Sequence, residues 1–312
     1  MNSVLDLAGS VQRFVGRPAG PPRTAPFSVD RSAIANWCAA LGDALPVYTD
    51  EAFAARSRWG GIIAPPTMLQ TWTFPDRRTT PAPEPGPDEA EAELLAELRA
   101  QGYDRTVATD SEQTYLDAVR PGDLIGSRTT IAGITGPKRT WIGEGFFVTL
   151  ETEYVRQDGT VVGTQRFRSF RYRAAEQRTA KSGPAPAVVG GSELPVLEIP
   201  MTPTLIVASS VASGDFNGLH HDRDFAQAAG AADIFLNILS TNGLVGRYVG
   251  EWAGPDVRFL RVALRLGVPN YAYDTLRLAG VVERQGATTT LRVDGTNSLG
   301  SCVTATVEVE LP

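Results

Sequence analysis

The sequence predicts an α+β fold made of two similar halves, each a helical segment followed by an antiparallel sheet. Two observations predict it: a residue pattern that occurs twice along the chain, and long strand-forming runs that follow each occurrence. A length of 312 residues suits two domains of ordinary size. Because a helix and a sheet each have an apolar face to bury, we expect the long strands of each half to wrap one central helix.

The repeat relates residues 42–54, GDALPVYTDEAFA, to residues 214–226, GDFNGLHHDRDFA. Five residues recur at identical spacing, and they are Gly42, Asp43, Asp50, Phe53 and Ala54, matched by Gly214, Asp215, Asp222, Phe225 and Ala226. Such a match indicates duplicated halves. Between them, residues 174–195 are rich in Ala, Gly, Pro and Ser without an apolar period, which is typical of a linker. We therefore expect a first half at 1–173, a linker at 174–195 and a second half at 196–312.

The first half is predicted to begin with short helices. Asp50 is placed to cap the helix DEAFAARSRWG. The segment TMLQTW resembles the start of a central helix, but Pro75 and the proline-rich insertion 75–91 cut it short. A short acidic helix, AEAELLAELRAQG, is expected to follow and to stop at Gly102. Asp158-Gly159, between two strand-forming runs, predicts a hairpin.

The second half repeats this order with an intact central helix. Asp222 is placed to cap the helix DRDFAQAAG. The run STNGLVGRYVGEW is predicted to be a buried helix, since its apolar residues fall on one face: Leu244, Val245, Tyr248, Val249 and Trp252. A turn is expected at Gln285-Gly286. The last run, CVTATVEVEL, alternates strictly and predicts a strand with one buried face.

Composition and charge argue against several classes of protein. With 29 basic and 35 acidic residues, the net charge of −6 makes nucleic acid a poor partner. The sequence contains no run of about 18 apolar residues, so it predicts no membrane-spanning helix. The N-terminus lacks the pattern of a secretory signal, so we expect a cytoplasmic protein. The two cysteines, Cys38 and Cys302, form neither a disulfide framework nor a zinc cluster and are expected in the core.

One short segment contains an acid, an amide and a histidine, namely Asp215, Asn217 and His220. Glycines at 214 and 218 interrupt helix and strand, so the segment is predicted to be a tight loop. A histidine near neutral pKa beside a carboxylate suits general acid–base chemistry on water. His221 is expected to be only a neighbour. Three consecutive side chains at 220–222 cannot converge on one ion, so no metal is expected.

The stretch D-x-N-x-x-H-x-D followed by x-x-F-A, at residues 215–226, resembles the motif of the MaoC-like (R)-specific enoyl-CoA hydratases, which have the hotdog fold. TPTLIV, DIFLNILSTNGL and LRLGVPNYAYDTL are similar to the catalytic subunit of the two-subunit hydratase of actinobacterial steroid side-chain breakdown. FVGRPAGPP, WCAALGD and ATDSEQTYLDAVRPGD resemble the MaoC-like part of its other subunit. The resemblance implies a double hotdog, with two antiparallel sheets each wrapping a helix, and a natural fusion of the two subunits.

This family implies hydration of a 2-enoyl-CoA to the 3-hydroxyacyl-CoA, here a steroid side-chain substrate of the 17-ene pregnane carboxyl-CoA type. It assigns the attacking water to Asp215 and His220, with Asn217 as an orienting residue. The family usually has His-Gly where this sequence has Asn242-Gly243. The resemblance implies that Gly243 offers its N–H to the thioester oxygen. CoA is then part of the substrate, and no cofactor or metal is expected.

The first half departs from the motif, because Tyr48 and Leu45 stand where the motif has His and Asn. We expect it to be catalytically silent and, given its short helix, to leave space for a rigid ring system. Substrate-binding residues stay unassigned, with four candidates for the CoA phosphates: Arg247, Arg258, Arg261 and Arg265.

The family also implies partners for the chain. We expect a homodimer, and a steroid aldolase with its docking domain on separate chains. Two other functions stay open: a hydratase or dehydratase for linear fatty enoyl thioesters, and a non-catalytic acyl-CoA-binding protein. The pairing of Asp215 with His220 argues against the second, since a binding module does not need an acid–base pair.

Overall fold

The computed structural model describes residues 4–74, 89–174 and 192–312, and its strands form one continuous sheet. The first half contributes strands in the order β1-β3-β4-β5-β2, and the second adds β8-β11-β10-β9, with β6 and β7 both paired to β9. The strands are β1 (Arg23–Thr24), β2 (Arg105–Tyr115), β3 (Ile125–Thr140), β4 (Gly143–Arg156), β5 (Val161–Ala174), β6 (Ser192–Glu193), β7 (Leu197–Pro200), β8 (Arg258–Leu266), β9 (Thr275–Arg284), β10 (Thr289–Asn297) and β11 (Gly300–Glu310).

The two halves join edge to edge through β2 and β8. These strands pair antiparallel, with Asp110 opposite Arg265 and Thr114 opposite Arg261. The double arrangement predicted from the sequence is present, but its two sheets are hydrogen-bonded into one. Joining them satisfies the backbone groups of two strands that would otherwise be sheet edges.

The described residues also form eight α-helices and three 3₁₀-helices. They are α1 (Val4–Ser10), α2 (Arg31–Leu41), α3 (Pro46–Thr49), α4 (Glu51–Arg56), α5 (Ala90–Ala100), α6 (Pro203–Ala212), α7 (Arg223–Ala228) and α8 (Ile238–Ala253), with 3₁₀-helices at Val11–Phe14, Pro66–Thr73 and Gly218–His220. Both predicted caps are confirmed: Asp50 Oδ1 accepts from Phe53 N at 2.9 Å, and Asp222 Oδ1 accepts from Phe225 N at 3.0 Å. The sequence repeat therefore corresponds to a repeated local structure.

Helix α8 is the central helix of the second half. Every residue from 236 to 246 is buried, which confirms the prediction of a buried helix. Its sheet-facing side packs on the apolar face of β11, whose buried residues include Val303, Ala305, Val307 and Val309, as the strict alternation predicts. Its other side packs against α2 and the 3₁₀-helix Pro66–Thr73 of the first half. The second half is thus partly enclosed by the first half.

Where the second half has α8, the described part of the first half, which stops at residue 74 here, has the 3₁₀-helix Pro66–Thr73. This agrees with the short TMLQTW segment. Helix α1, Val11–Phe14 and α5 pack instead on β3 and β4 and form a separate small core with them, of which Phe14, Leu94, Leu98, Ile131 and Phe146 are fully buried members. Helix α5 ends at Ala100, and Gly102 has a φ of 85°, as the predicted stop requires.

The predicted linker and insertion lie mostly outside the described residues, at 175–191 and 75–88. The last residues assigned to the linker belong to the sheet, because Ser192 and Glu193 pair with Val282 and Val281 and Leu194 is buried. Cys38 and Cys302 are buried and unpaired, as expected. Among the helices of the described ranges, none combines the length and the apolar character that crossing a membrane requires.

Candidate active site

The loop between α6 and α7 carries the predicted acid and histidine. Gly214, just after α6, has a φ of 73°, a conformation that glycine adopts at little cost. This reversal lets Asp215 N donate to the Ser210 carbonyl at 3.1 Å, and Ser210 Oγ donates back to the Asp215 carbonyl. The loop is therefore held against the end of α6 before it turns into the 3₁₀-helix that carries His220.

Asp215 and His220 face each other across a short gap. The distance from Asp215 Oδ2 to His220 Nε2 is 3.6 Å, and the two side chains are 18% and 10% exposed. His220 Nδ1 lies 2.7 Å from the Phe235 carbonyl oxygen. A carbonyl only accepts, so we assign the ring proton to Nδ1, which leaves the Nε2 lone pair free toward Asp215.

The environment keeps this ring neutral at pH 7. Burial lowers the pKa of His220 below its ordinary value of 6.5, and the nearby Asp215 carboxylate opposes that shift only in part. A neutral imidazole with an unprotonated Nε2 is the form that a general base requires.

The gap between the two groups suits one water molecule. At 3.6 Å the two atoms are too far apart for a direct hydrogen bond, and both are acceptors. A water that donates one hydrogen to Nε2 and the other to Oδ2 satisfies both, and its oxygen lone pair then points away from them. The arrangement can therefore hold a water and take a proton from it.

Asn237 is a site residue that the sequence analysis missed. Its Nδ2 donates to Asp215 Oδ2 at 3.1 Å and to Ser213 Oγ at 3.0 Å, and its Oδ1 accepts from Ser240 N at 2.7 Å. It is the N-cap of α8, which begins two residues earlier than the run predicted from the sequence. The available signal was an asparagine directly before an apolar helix.

Asn217 supports the loop mainly through its backbone. Its N–H donates to Asp215 Oδ1 at 3.2 Å, whereas its exposed side chain caps the 3₁₀-helix by accepting from Leu219 N at 3.1 Å. His221 is exposed, and its Nε2 lies 3.0 Å from the Phe216 carbonyl. The structure thus places the predicted orienting residue beside Asp215, while His221 bonds elsewhere.

The structure contradicts the role predicted for Gly243. Because α8 begins at Ile238, Gly243 is a helix-interior residue, and its N–H is directed at the carbonyl of Leu239. A Cβ at Gly243 would overlap Leu41 Cδ1 and approach Trp37 Cζ2 to 2.7 Å, so its glycine serves the close packing of α8 on α2. The amides of this helix without an intrahelical acceptor are those of its first residues, Ile238 and Leu239.

Each candidate arginine for the CoA phosphates already faces a carboxylate. The distances are 2.6 Å for Arg247–Glu251, 3.4 Å for Arg258–Glu310, 2.8 Å for Arg261–Glu112 and 3.9 Å for Arg265–Asp110. No phosphate site follows from these four residues.

The first half has the acid of the repeat without a base. Asp43 Oδ1 accepts from Leu45 N at 3.1 Å, and burial raises the pKa of Asp43 to about 6. Tyr48, where the second half has His220, is buried, and burial holds the pKa of its phenol well above the ordinary range. A neutral phenol does not accept a proton from water at pH 7.

A cavity of about 200 Å³ lies beside the short 3₁₀-helix of the first half. Its apolar wall includes Trp59, Leu69, Trp72, Tyr115 and Val162. Leu69 and Trp72 belong to this 3₁₀-helix, and Phe74, just after it, lies against Gly214 in the loop between α6 and α7. The same segment therefore borders both the cavity and the loop that carries Asp215.

Family models match both halves of the chain. Residues 13–165 match a FAS1-like dehydratase domain region, and residues 186–301 match a MaoC-like domain. The 3-oxo-4,17-pregnadiene-20-carboxyl-CoA hydratase beta subunit of Mycobacterium tuberculosis is 49% identical over 124 residues, which are 39% of this chain and 96% of that subunit. The chain belongs to the MaoC-like family. This confirms the resemblance found in the sequence.

The alpha subunit of the same mycobacterial hydratase also matches this MaoC-like chain. It is 34% identical over 150 residues, which are 47% of this chain and 46% of that subunit, so this chain spans about half of its length. One chain that matches both subunits is consistent with a fusion. A solved M. tuberculosis structure described as a double hotdog aligns with this chain at a TM-score of 0.61 and 13% identity. The alignment covers 95% of this chain and 96% of that structure, which confirms the fold.

Proposed function

We propose that this MaoC-like protein hydrates a 2-enoyl-CoA thioester to the 3-hydroxyacyl-CoA. The observation that carries the proposal is the pair of acceptors, His220 Nε2 and Asp215 Oδ2, 3.6 Å apart with the imidazole neutral. The water between them forms a C–O bond to the β-carbon while Nε2 takes its proton. The electron pair of the C=C bond moves toward the thioester oxygen, and the proton is then returned to the α-carbon.

The start of α8 is suited to the thioester oxygen. The first amides of this helix, at Ile238 and Leu239, have no acceptor within the helix, and the helix dipole adds positive potential there. Asn237, directly before them, contacts Asp215. Preorganised N–H groups beside the activated water stabilise the negative charge that develops on the oxygen during attack.

The proposed substrate is a steroid side-chain enoyl-CoA. Both mycobacterial relatives are named as subunits of a hydratase for 3-oxo-4,17-pregnadiene-20-carboxyl-CoA. A bulky acyl group is supported by the short 3₁₀-helix and by the apolar cavity beside it, which Trp59 and Trp72 line and which Asp215 and His220 do not line. A rigid ring system buries apolar surface there and loses little conformational entropy. Water addition at the 17-ene then produces a tertiary alcohol.

Further aspects of this function are proposed with it. CoA is part of the substrate, and no resident cofactor is needed for water addition. We propose a cytoplasmic homodimer, since two-fold assembly is the commonest oligomer, and a separate steroid aldolase that cleaves the tertiary alcohol. Light scattering at micromolar concentration tests the dimer, and a monomer mass contradicts it.

A substrate panel tests the function. We expect kcat/KM, followed as loss of enoyl-thioester absorbance, to be at least tenfold higher for a steroid enoyl-CoA than for crotonyl-CoA or a medium linear enoyl-CoA. That ratio is about 1.4 kcal/mol in transition-state binding. His220→Ala provides the background rate. A tenfold preference for linear substrates removes the steroid assignment and keeps the hydratase, whereas binding without turnover identifies an acyl-CoA-binding protein.

A further inference from the structure

Asn237 connects three parts of the site. It is 3% exposed and contacts the end of α6 through Ser213, the catalytic loop through Asp215 and the first turn of α8 through Ser240. Both amide hydrogens are donated and the amide oxygen accepts. The opposite amide orientation would set N–H against N–H at Ser240 and oxygen against the carboxylate, so these partners determine the orientation.

We propose that Asn237 is a positioning residue that holds Asp215 Oδ2 in the place where it shares the attacking water with His220, an inference that rests on the hydration proposed above. Oδ2 is the carboxylate atom that faces Nε2, at 3.6 Å. A carboxylate turns easily about its last side-chain bond. Here the Asn217 N–H holds Oδ1 and the Asn237 amide holds Oδ2, so that rotation is restricted at both oxygens.

The choice of asparagine goes beyond helix capping. Thr202, Asp50 and Asp222 cap α6, α4 and α7 with a single oxygen each. Serine or aspartate at 237 would cap α8 about as well as asparagine. The amide accepts from Ser240 N–H through one atom, Oδ1, and donates to the Asp215 carboxylate through another, Nδ2. An ionised aspartate has no hydrogen to donate, and a serine has a single oxygen on a shorter side chain. The second hydrogen bond therefore has a use that the cap does not require.

The charged groups around the pair are few. Asp215 and His221 are the ionisable side chains whose charge acts on the pKa of His220. Helix α6, residues 66–74 and the first nine residues of α8 contain no ionisable side chain. Helix α7, packed on the same loop, contributes Arg223, which pairs with Asp233 at 3.0 Å, together with Asp224 and its cap Asp222.

Two variants of the full-length protein test the proposal. Asn237→Ser keeps a capping oxygen, but its hydroxyl lies one bond closer to the backbone than the Asn237 amide nitrogen and does not reach Asp215 Oδ2. We therefore expect kcat to fall at least about tenfold with KM within about twofold. Asn237→Asp replaces the amide with a group that donates only while protonated. Its kcat/KM should therefore fall as the pH rises and the new aspartate ionises, a decrease that the wild type lacks. An ionised aspartate still caps the helix well, so a lost cap would not explain this decrease. Thr202→Ala, which removes a cap away from the pair, should lower Tm and leave kcat unchanged.

A measurement without turnover separates this inference from the proposed function. Nitrogen-15 NMR titration resolves His220 from His221, the other histidine of the chain, with His221→Gln for assignment. In Asn237→Ser the carboxylate is freer to approach Nε2, so the pKa of His220 should rise by about 0.5 or more. That rise supports the positioning of Asp215 even if no enoyl-CoA is hydrated. An unchanged pKa of His220, or a kcat of Asn237→Ser within twofold of wild type, overturns the proposal and leaves Asn237 a helix cap.

Discussion

At the scale of single residues, the proposed hydration depends on which nitrogen of His220 is free. The Phe235 carbonyl, 2.7 Å from Nδ1, holds the ring proton there and directs the Nε2 lone pair to Asp215. Burial favours the uncharged ring. A carbonyl from another segment and the shielding of the site therefore convert an ordinary histidine into a base directed at one point.

Loss of either partner should abolish most of the hydration. We expect His220→Ala and Asp215→Asn each to lower kcat/KM by about 10² to 10⁴, because a general base contributes about that much. The double variant should be little worse than either single one, since the two groups act on one water. Asp222→Asn, in the same loop, retains a capping oxygen and serves as the control. A single variant within a few-fold of wild type contradicts this site.

The rate should depend on pH through the base. Because the base must be neutral, kcat/KM should rise as the pH rises through the pKa of His220 and then level off. The midpoint should lie below 6.5, since burial lowers this pKa. Steady-state kinetics from acid to neutral pH measure it, and NMR titration of His220 in the free enzyme checks the assignment. A midpoint above 7 is incompatible with the neutral buried ring.

Asp43, the first-half counterpart of Asp215, should reduce stability at neutral pH. Burial raises the pKa of Asp43 in the folded protein to about 6 from an ordinary 3.8. Ionisation of Asp43 therefore costs no folding stability below pH 3.8, costs more as the pH rises to about 6, and costs a constant amount above that pH. Asp43→Asn should therefore raise the free energy of unfolding at pH 8 by up to about 3 kcal/mol and should leave it unchanged below pH 3.8. Urea unfolding at several pH values measures this. Tyr48→Phe should change neither this pH dependence nor the hydration rate.

At the scale of elements, α8 does two tasks. Its N-terminus contacts the loop between α6 and α7 through the hydrogen bond from Asn237 to Asp215, and its body packs against the first half through glycines. A Cβ at Gly246 would lie 2.9 Å from Thr67, and one at Gly250 would lie 2.6 Å from Leu45. With Gly243 these residues share one side of the helix, and they let α2 and the 3₁₀-helix approach closely.

Gly243→Ala should destabilise the protein although alanine is the better helix former. The added methyl overlaps Leu41 and approaches Trp37, both fully or nearly fully buried. We expect a loss of about 1–3 kcal/mol, as for overpacking, with kcat retained in the folded fraction. The double variant Gly243→Ala/Leu41→Ala should lose less stability than the sum of the losses of the two single variants, because the smaller side chain makes room for the methyl group. Gly9→Ala, in α1 with open space around it, should not destabilise. A neutral Gly243→Ala would contradict this packing.

At the scale of the whole molecule, the two halves share one sheet and one main core. Strands β2 and β8 pair across the joint, and residues of both halves, from Ile34 to Leu278, belong to the same apolar cluster. The second half uses α2 and the short 3₁₀-helix of the first half to cover α8. The halves are therefore parts of one cooperative structure.

Thermal unfolding should accordingly occur in a single transition. We expect equal calorimetric and van't Hoff enthalpies, because neither half keeps its core when the other unfolds. Ile34→Ala in the first half and Leu278→Ala in the second should both lower that same Tm. Two resolved transitions, each sensitive to only one of these variants, would show that the halves unfold independently.

Local features were predictable from the sequence. The caps at Asp50 and Asp222, the hairpin at Asp158-Gly159 and the loop that joins Asp215 to His220 each involve only a few neighbouring residues. Short-range geometry and residue preference suffice for them, because chain neighbours meet whatever the rest of the fold does. The duplication, and with it the fold class, also followed from spacing along the chain.

Contacts between distant segments were not predictable in this way. The bond from Asn237 to Asp215, the Phe235 carbonyl at His220, the joint between β2 and β8 and the contact of Gly243 with Trp37 all join residues far apart in sequence. Gly243 shows the consequence: its residue type fits both an exposed helix start and a tight helix crossing. The choice between them depends on where α8 begins and on what packs against it. Packing between distant segments determines both the start of α8 and its neighbours, and no single stretch of sequence contains that information.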